Sequence, residues 1–189
     1  MITQSKTLVC KTWKTKTIAT LLAIIGAVAL PQIFHGLGAV SDLGSSLGET
    51  FLPMHLAIFL VGFFAGPWAG LSAGIVSPTI SFMLTSLLGS PMPTLVMLPF
   101  MIIELAIYGL TTGLLAKIKM PTIAKLLIAQ IAGRAIRAVA IVIGVFAFSS
   151  PMNVAVIWNS ILTGLPGLIL QWILIPLLVF YVEKRMSRD

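Results

Sequence analysis

A chain of 189 residues with 58% hydrophobic and only 9% charged side chains lies far from the soluble mix, in which about a quarter of residues are charged. That excludes an ordinary water-soluble domain and points to an integral membrane protein with room for six spans of about 20 residues each. The net charge of +7 comes from basic residues gathered at a few points, where nucleic-acid binding would need a basic face, and the single Cys10 has no partner for an intrachain disulfide.

In chain order, Lys6, Lys11, Lys14 and Lys16 make residues 1–16 a basic leading segment, and a first apolar span is expected over 17–34. The segment "HGLGAVSDLGSSLGET" at 35–50 reads as a polar loop that holds Asp42 and Glu49 and no basic residue. A short second span over 51–65 breaks at Gly66-Pro67 and a third continues over 68–88. The "GSPMP" at 89–93 is a turn before a fourth span over 94–116. The basic loop "KIKMPT", with Lys117 and Lys119, precedes a fifth span over 123–148. "SSPMN" then leads into a sixth span ending near 182. Lys184, Arg185 and Arg188 close the chain in a short basic tail, 183–189. The loops at 35–50, 89–93 and 149–153 carry no Lys or Arg, so the charge distribution predicts both termini on the cytoplasmic side. The basic start and the "AVA" at 27–29 also resemble a secretory leader, but removing it would put the basic tail outside, so the uncleaved reading is preferred. The predicted fold is an all-α integral membrane bundle of six helices, with the membrane domain over 17–182.

Small residues matter in such a bundle, because helices in lipid associate through close backbone approach. Ala19, Ala23 and Ala27 recur every four residues and draw a smooth stripe on the first span, a candidate docking face for a partner membrane subunit. Gly62, Gly66, Gly70 and Gly74 share that spacing across the Gly66-Pro67 break, and Gly109 with Gly113 adds another pair; packing inside the bundle accounts for these.

Three charged residues stand within apolar spans: Glu104 in the fourth, Arg134 and Arg137 in the fifth. A charge at the bilayer centre costs about 2.5 to 3.5 kcal/mol on insertion scales, so these residues are expected to face one another or a wet cavity. One carboxylate cannot neutralise two guanidiniums, which leaves one arginine for an anionic ligand. Arg137, nearer the outer loops, is the preferred candidate for that role, with Arg134 pairing with Glu104, while the spacing also allows the reverse assignment. Tyr108, one turn from Glu104, together with His55, Asn153, Trp158 and Asn159, completes the candidate ligand site. Gln130 and Gln171 are expected to bond to other helices. No H-E-x-x-H, G-x-S-x-G or G-x-x-x-x-G-K-[ST] motif is present, which argues against an enzyme and against ATP hydrolysis by this chain, and no metal or cofactor is indicated.

These features carry a family resemblance. The basic start, the Ala19/Ala23/Ala27 stripe, "LPMHLAIFLVGFFAGPWAGLSAGIVSPTISFML", "ELAIYGLTTGLL", "AGRAIR" and "TGLPGLILQWILIPLLV", together spanning 17–182, resemble the substrate-binding S components of energy-coupling factor (ECF) vitamin transporters. The resemblance implies a vitamin pocket near the outer side and a location in a prokaryotic plasma membrane. It further implies partnership with a transmembrane coupling subunit and two cytosolic ATPases, with the alanine stripe facing the coupling subunit. "PMH", "ELAIYG" and "GLPG" look closest to the pantothenate and folate grouping, and pantothenate, small and singly anionic, suits one spare arginine. Cobalamin, folate, hydroxymethylpyrimidine and a queuosine precursor stay open as alternatives, as does a small stand-alone secondary carrier.

Overall fold

The computed structural model describes residues 12–40, 50–89 and 91–186, with the backbone alone at 34–40 and 186. Seven helices and no strand occur among the described residues. They are α1 (Trp13–Val40), α2 (Pro53–Ala65), α3 (Pro67–Leu87), α4 (Leu98–Leu115), α5 (Thr122–Phe148), α6 (Ala155–Thr163) and α7 (Leu165–Met186). Five of them, α1, α3, α4, α5 and α7, contain stretches long and apolar enough to cross a membrane, and α2 is a shorter apolar helix of 13 residues. Large apolar side chains cover the outside: Ile18, Leu22 and Ile25 on α1, Ile131 and Val139 on α5, Ile173 and Leu177 on α7 are all exposed. A soluble monomer does not present continuous apolar surface on this scale, whereas lipid solvates it. The protein is an all-α membrane bundle.

Short, apolar α2 is the hub, packed on α1, α3, α4 and α7. Ile58, Phe59 and Phe63 of α2 are fully buried, against Tyr108 and Leu105 of α4 and Ala27 of α1. The turn from α2 to α3 needs Gly66, whose φ of 97° suits a residue without Cβ, and Pro67 then begins α3 where its missing N–H costs nothing. The expected glycine packing is present on both sides of this break. A side chain at Gly70 would run into the backbone of Gly109, one at Gly74 into Leu105, and one at Gly113 into Pro67.

Three boundaries differ from the sequence reading. Helix α1 runs on to Val40, so the first part of the expected polar loop is helical; Asp42 and Glu49 lie outside the described residues, as do Lys6, Cys10, Lys11 and Arg188. Helix α4 starts at Leu98, because residues 94–97 turn before entering it. The expected sixth span is two helices, α6 and α7, parted at Gly164. Gly164 sits where a Cβ would press on Leu52 Cδ1 at 3.0 Å and on the Ser160 carbonyl oxygen at 3.0 Å, so the chain is pinched there between α2 and α6.

Candidate functional site

Helices α4 and α5 are drawn together by small residues at two levels. Gly133 lies against the Tyr108 ring, and Gly144 faces Phe100 where a Cβ would meet Phe100 Cζ at 2.8 Å. These contacts set an antiparallel register in which 100 faces 144 and 108 faces 133, so Glu104 falls opposite the region of 137. Glu104 is buried and accepts two strong hydrogen bonds: Tyr108 Oη donates to Oε1 at 2.7 Å, and Arg137 Nη1 donates to Oε2 at 2.8 Å. Arg137 Nη2 also approaches Met97 Sδ at 3.5 Å.

The assignment of the two arginines is therefore the reverse of the sequence expectation: Arg137 neutralises Glu104 and Arg134 is left over. The physical cause is the register itself: with Tyr108 on Gly133 and Phe100 on Gly144, Glu104 comes opposite Arg137, one turn beyond Arg134.

Arg134, three residues earlier, is rotated off this face toward the α6–α7 junction. A Cβ at Gly164 would lie 3.5 Å from its Nη2. Its Nε and Nη1 are buried and make no hydrogen bond among the described residues. Beside it lies a cavity of about 10 Å³, lined by Arg134, Arg137, Ala138 and Ile141 of α5 and by Ile157, Ser160 and Ile161 of α6, room for about one water. His55 belongs to the same cluster. It is buried, its ring centroid stands 5.4 Å from that of Tyr108, and its Nδ1 has no partner among the described residues. The charges of Glu104, Arg134 and Arg137 all act on it. The site is thus an ion pair, Arg137–Glu104, whose Arg137 Nε stays unpaired among the described residues, beside a second cation and an imidazole that also have unmet hydrogen-bonding capacity there.

A family model described as "ECF transporter, substrate-specific component" matches residues 15–179. The chain belongs to this family. No curated protein and no solved structure matches the chain. As a substrate-specific component of an ECF transporter, it is a membrane protein that binds a vitamin-type small molecule for import.

In this S component the structure gathers Glu104, Tyr108, His55, Arg134 and Arg137, and it does not gather the other expected site residues. Helix α6 turns Ile157, Ser160 and Ile161 toward α5, so Trp158 and Asn159 point away and are exposed. Asn153 is exposed as well, and its Oδ1 accepts from the Ala155 N–H at 2.8 Å, capping the start of α6. Ser160 was missed by sequence reasoning; its place three residues after Ile157 and one before Ile161 is the only signal that would have found it. Gln130 and Gln171 do bond between helices: Gln130 Nε2 donates to Gln171 Oε1 at 3.0 Å and Trp172 Nε1 donates to Gln130 Oε1 at 2.7 Å. Gln171 Nε2 in turn reaches the Leu52 carbonyl at 3.4 Å.

The small-residue stripe of α1 divides. Ala19 and Ala23, with Gly26, line an apolar groove of about 360 Å³ between α1 and α2, walled by Leu22, Leu56, Leu60 and Phe64. Ala27 is fully buried in the core and so packs inside this chain, which removes it from the outward stripe.

Proposed function

We propose that this S component binds a small anionic vitamin, pantothenate first among the candidates, with Arg134 as the receptor of its carboxylate. The observation that carries the reading is the half-buried Arg134, whose buried Nε and Nη1 find no acceptor among the described residues while Glu104 is already committed to Arg137 and Tyr108. A buried cation with unmade hydrogen bonds is costly, and a carboxylate supplies both the charge and the acceptors. His55 Nδ1, also without a partner, offers a contact for a hydroxyl or amide of the same molecule. The Arg137–Glu104 pair holds the floor of the site and keeps α5 in register.

Isothermal titration of the detergent-purified protein with pantothenate tests this. Truncating one side of a buried charge pair costs about 2 to 5 kcal/mol, so Arg134→Ala should weaken binding by about 30-fold or more. Unchanged affinity in Arg134→Ala would sink the anion receptor. If the wild-type chain ignores pantothenate, mass spectrometry of copurifying small molecules names the ligand that replaces it.

Energy for uptake comes, on this reading, from two cytosolic ATPases acting through a transmembrane coupling subunit in a prokaryotic plasma membrane, with both ends of this chain on the cytoplasmic side. The groove bearing Ala19 and Ala23 suits docking of that subunit, because small residues let a partner helix approach its floor. Ala23→Trp should abolish uptake in cells that carry the partners while pantothenate affinity of the purified variant stays unchanged. Lost binding in the purified variant would refute the docking role.

A further inference from the structure

A vitamin cannot fit a space of about 10 Å³, so one wall of the Arg134 site must move to admit it. The two walls differ sharply in how they are held. On the α5 side, Gly133 is locked against Tyr108, Arg137 is bonded to Glu104, and Gln130 is bonded to Gln171. On the α6 side, nine residues contain none that is buried. The segment 149–154 leads into α6 and Gly164 ends it.

We infer that α6 is the moving wall of the site, swinging about Gly164 away from α5 so that the ligand reaches Arg134, and that its return places Ser160 on the bound ligand. The inference rests on the proposal that Arg134 receives the ligand. The geometry favours Gly164 as the pivot. It is the one break in an otherwise helical run from Ala155 to Met186, and its lack of Cβ leaves α6 free of a clash with Leu52 that any other residue would bring. Ser160 Oγ donates to the Ile157 carbonyl at 3.0 Å, which keeps its lone pairs available to a ligand donor. Local opening of a lightly packed element costs far less than global unfolding, which makes such a wall able to open in the folded bundle.

The test reads opening directly. In a Cys10→Ser background, Ile141→Cys places a thiol on the cavity wall at a position with 0% exposure, and Ala129→Cys places one at 0% exposure elsewhere on α5. The probe is an anionic methanethiosulfonate reagent. Ile141→Cys should label at least about tenfold faster than Ala129→Cys, because only the former is uncovered by local opening at α6. Adding Gly164→Ala, which puts a methyl group against Leu52 Cδ1 in the closed position, should speed that labelling several-fold. Equal, slow labelling at both positions in proteins with wild-type melting would overturn the inference. Should Ile141→Cys fail to fold, spin labels at Leu162→Cys on α6 and Val142→Cys on α5 give the same reading: two separations are expected, and a single narrow one would overturn it. Pantothenate should protect Ile141→Cys; fast labelling without such protection supports the moving wall while refuting pantothenate as the ligand.

Discussion

The seam between α3 and α4 and the wall between α5 and α6 stand at opposite extremes of packing. At the seam, Gly70 and Gly109 bring backbone onto backbone and leave no space for even a methyl group. At the wall, isoleucines and a serine from α6 face two arginines across a cavity, and α6 buries no residue. In lipid there is no water to drive helices together, so rigidity follows from close approach and from satisfied polar groups. The bundle is fixed where glycines and the Glu104–Arg137 pair hold it, and it yields where α6 lies over an unsatisfied cation.

The comparison breaks most readily at the seam. Overpacking a tight interior costs about 1–3 kcal/mol where side chains can shift, and at Gly109 the obstacle is the immovable backbone of Gly70. Gly109→Leu should therefore yield no monodisperse protein by size exclusion; a variant that melts within a few degrees of wild type would show that the seam is not rigid. Next in size is the buried pair. Glu104→Ala strands Arg137 and Tyr108 and should cost about 3–5 kcal/mol in thermal or denaturant unfolding. The double variant Glu104→Leu/Arg137→Met should regain most of it, since the pair itself is worth little against well-packed apolar side chains. Arg134→Met, in contrast, should leave stability unchanged or raise it, because it removes a charge that no group among the described residues neutralises. A drop as large as that of Glu104→Ala would show that Arg134 has a structural partner and is not held for a ligand.

Most of the architecture could be read from the sequence because bilayer thickness and the Gly/Pro breaks constrain it strongly. The apolar runs, the Gly66-Pro67 break and the glycine spacing all translate into helices and seams with little dependence on tertiary detail. The preference for Arg137 as the ligand's arginine rests on its lying nearer the outer loops, which says nothing of how α4 and α5 register; the Gly133–Tyr108 and Gly144–Phe100 contacts fix that register and bring Arg137 to Glu104. Position along the chain places Trp158 and Asn159 near the site but gives no azimuth on a helix, and the turn of α6 points Ile157, Ser160 and Ile161 at the cavity instead. The split at Gly164 was signalled by "TGLPG", but whether a Gly/Pro pair kinks a helix or parts it depends on the Leu52 contact that only the fold supplies.

The smallest loss of stability expected lies at Gln171, and it sharpens the contrast between the two regions. Gln171 joins α7 to Gln130 on α5 and to the Leu52 carbonyl ahead of α2, one turn along α5 from Arg134. Interhelical hydrogen bonds in membrane proteins average about 0.6 kcal/mol, with a maximum near 1.7, so Gln171→Leu should cost about 1 kcal/mol in unfolding. The Leu52 carbonyl keeps the His55 N–H at 3.1 Å and Gln130 keeps Trp172, which limits the loss. Gln130→Leu should cost more, since it leaves both Gln171 Oε1 and the Trp172 N–H without that partner. If α5 is held by its seam with α4 even without this bond while α6 moves, Gln171→Leu will leave thiol labelling at Ile141→Cys unchanged relative to the parent. Faster labelling would mean that α5 moves as well, and the rigid part of the molecule would then end at α4.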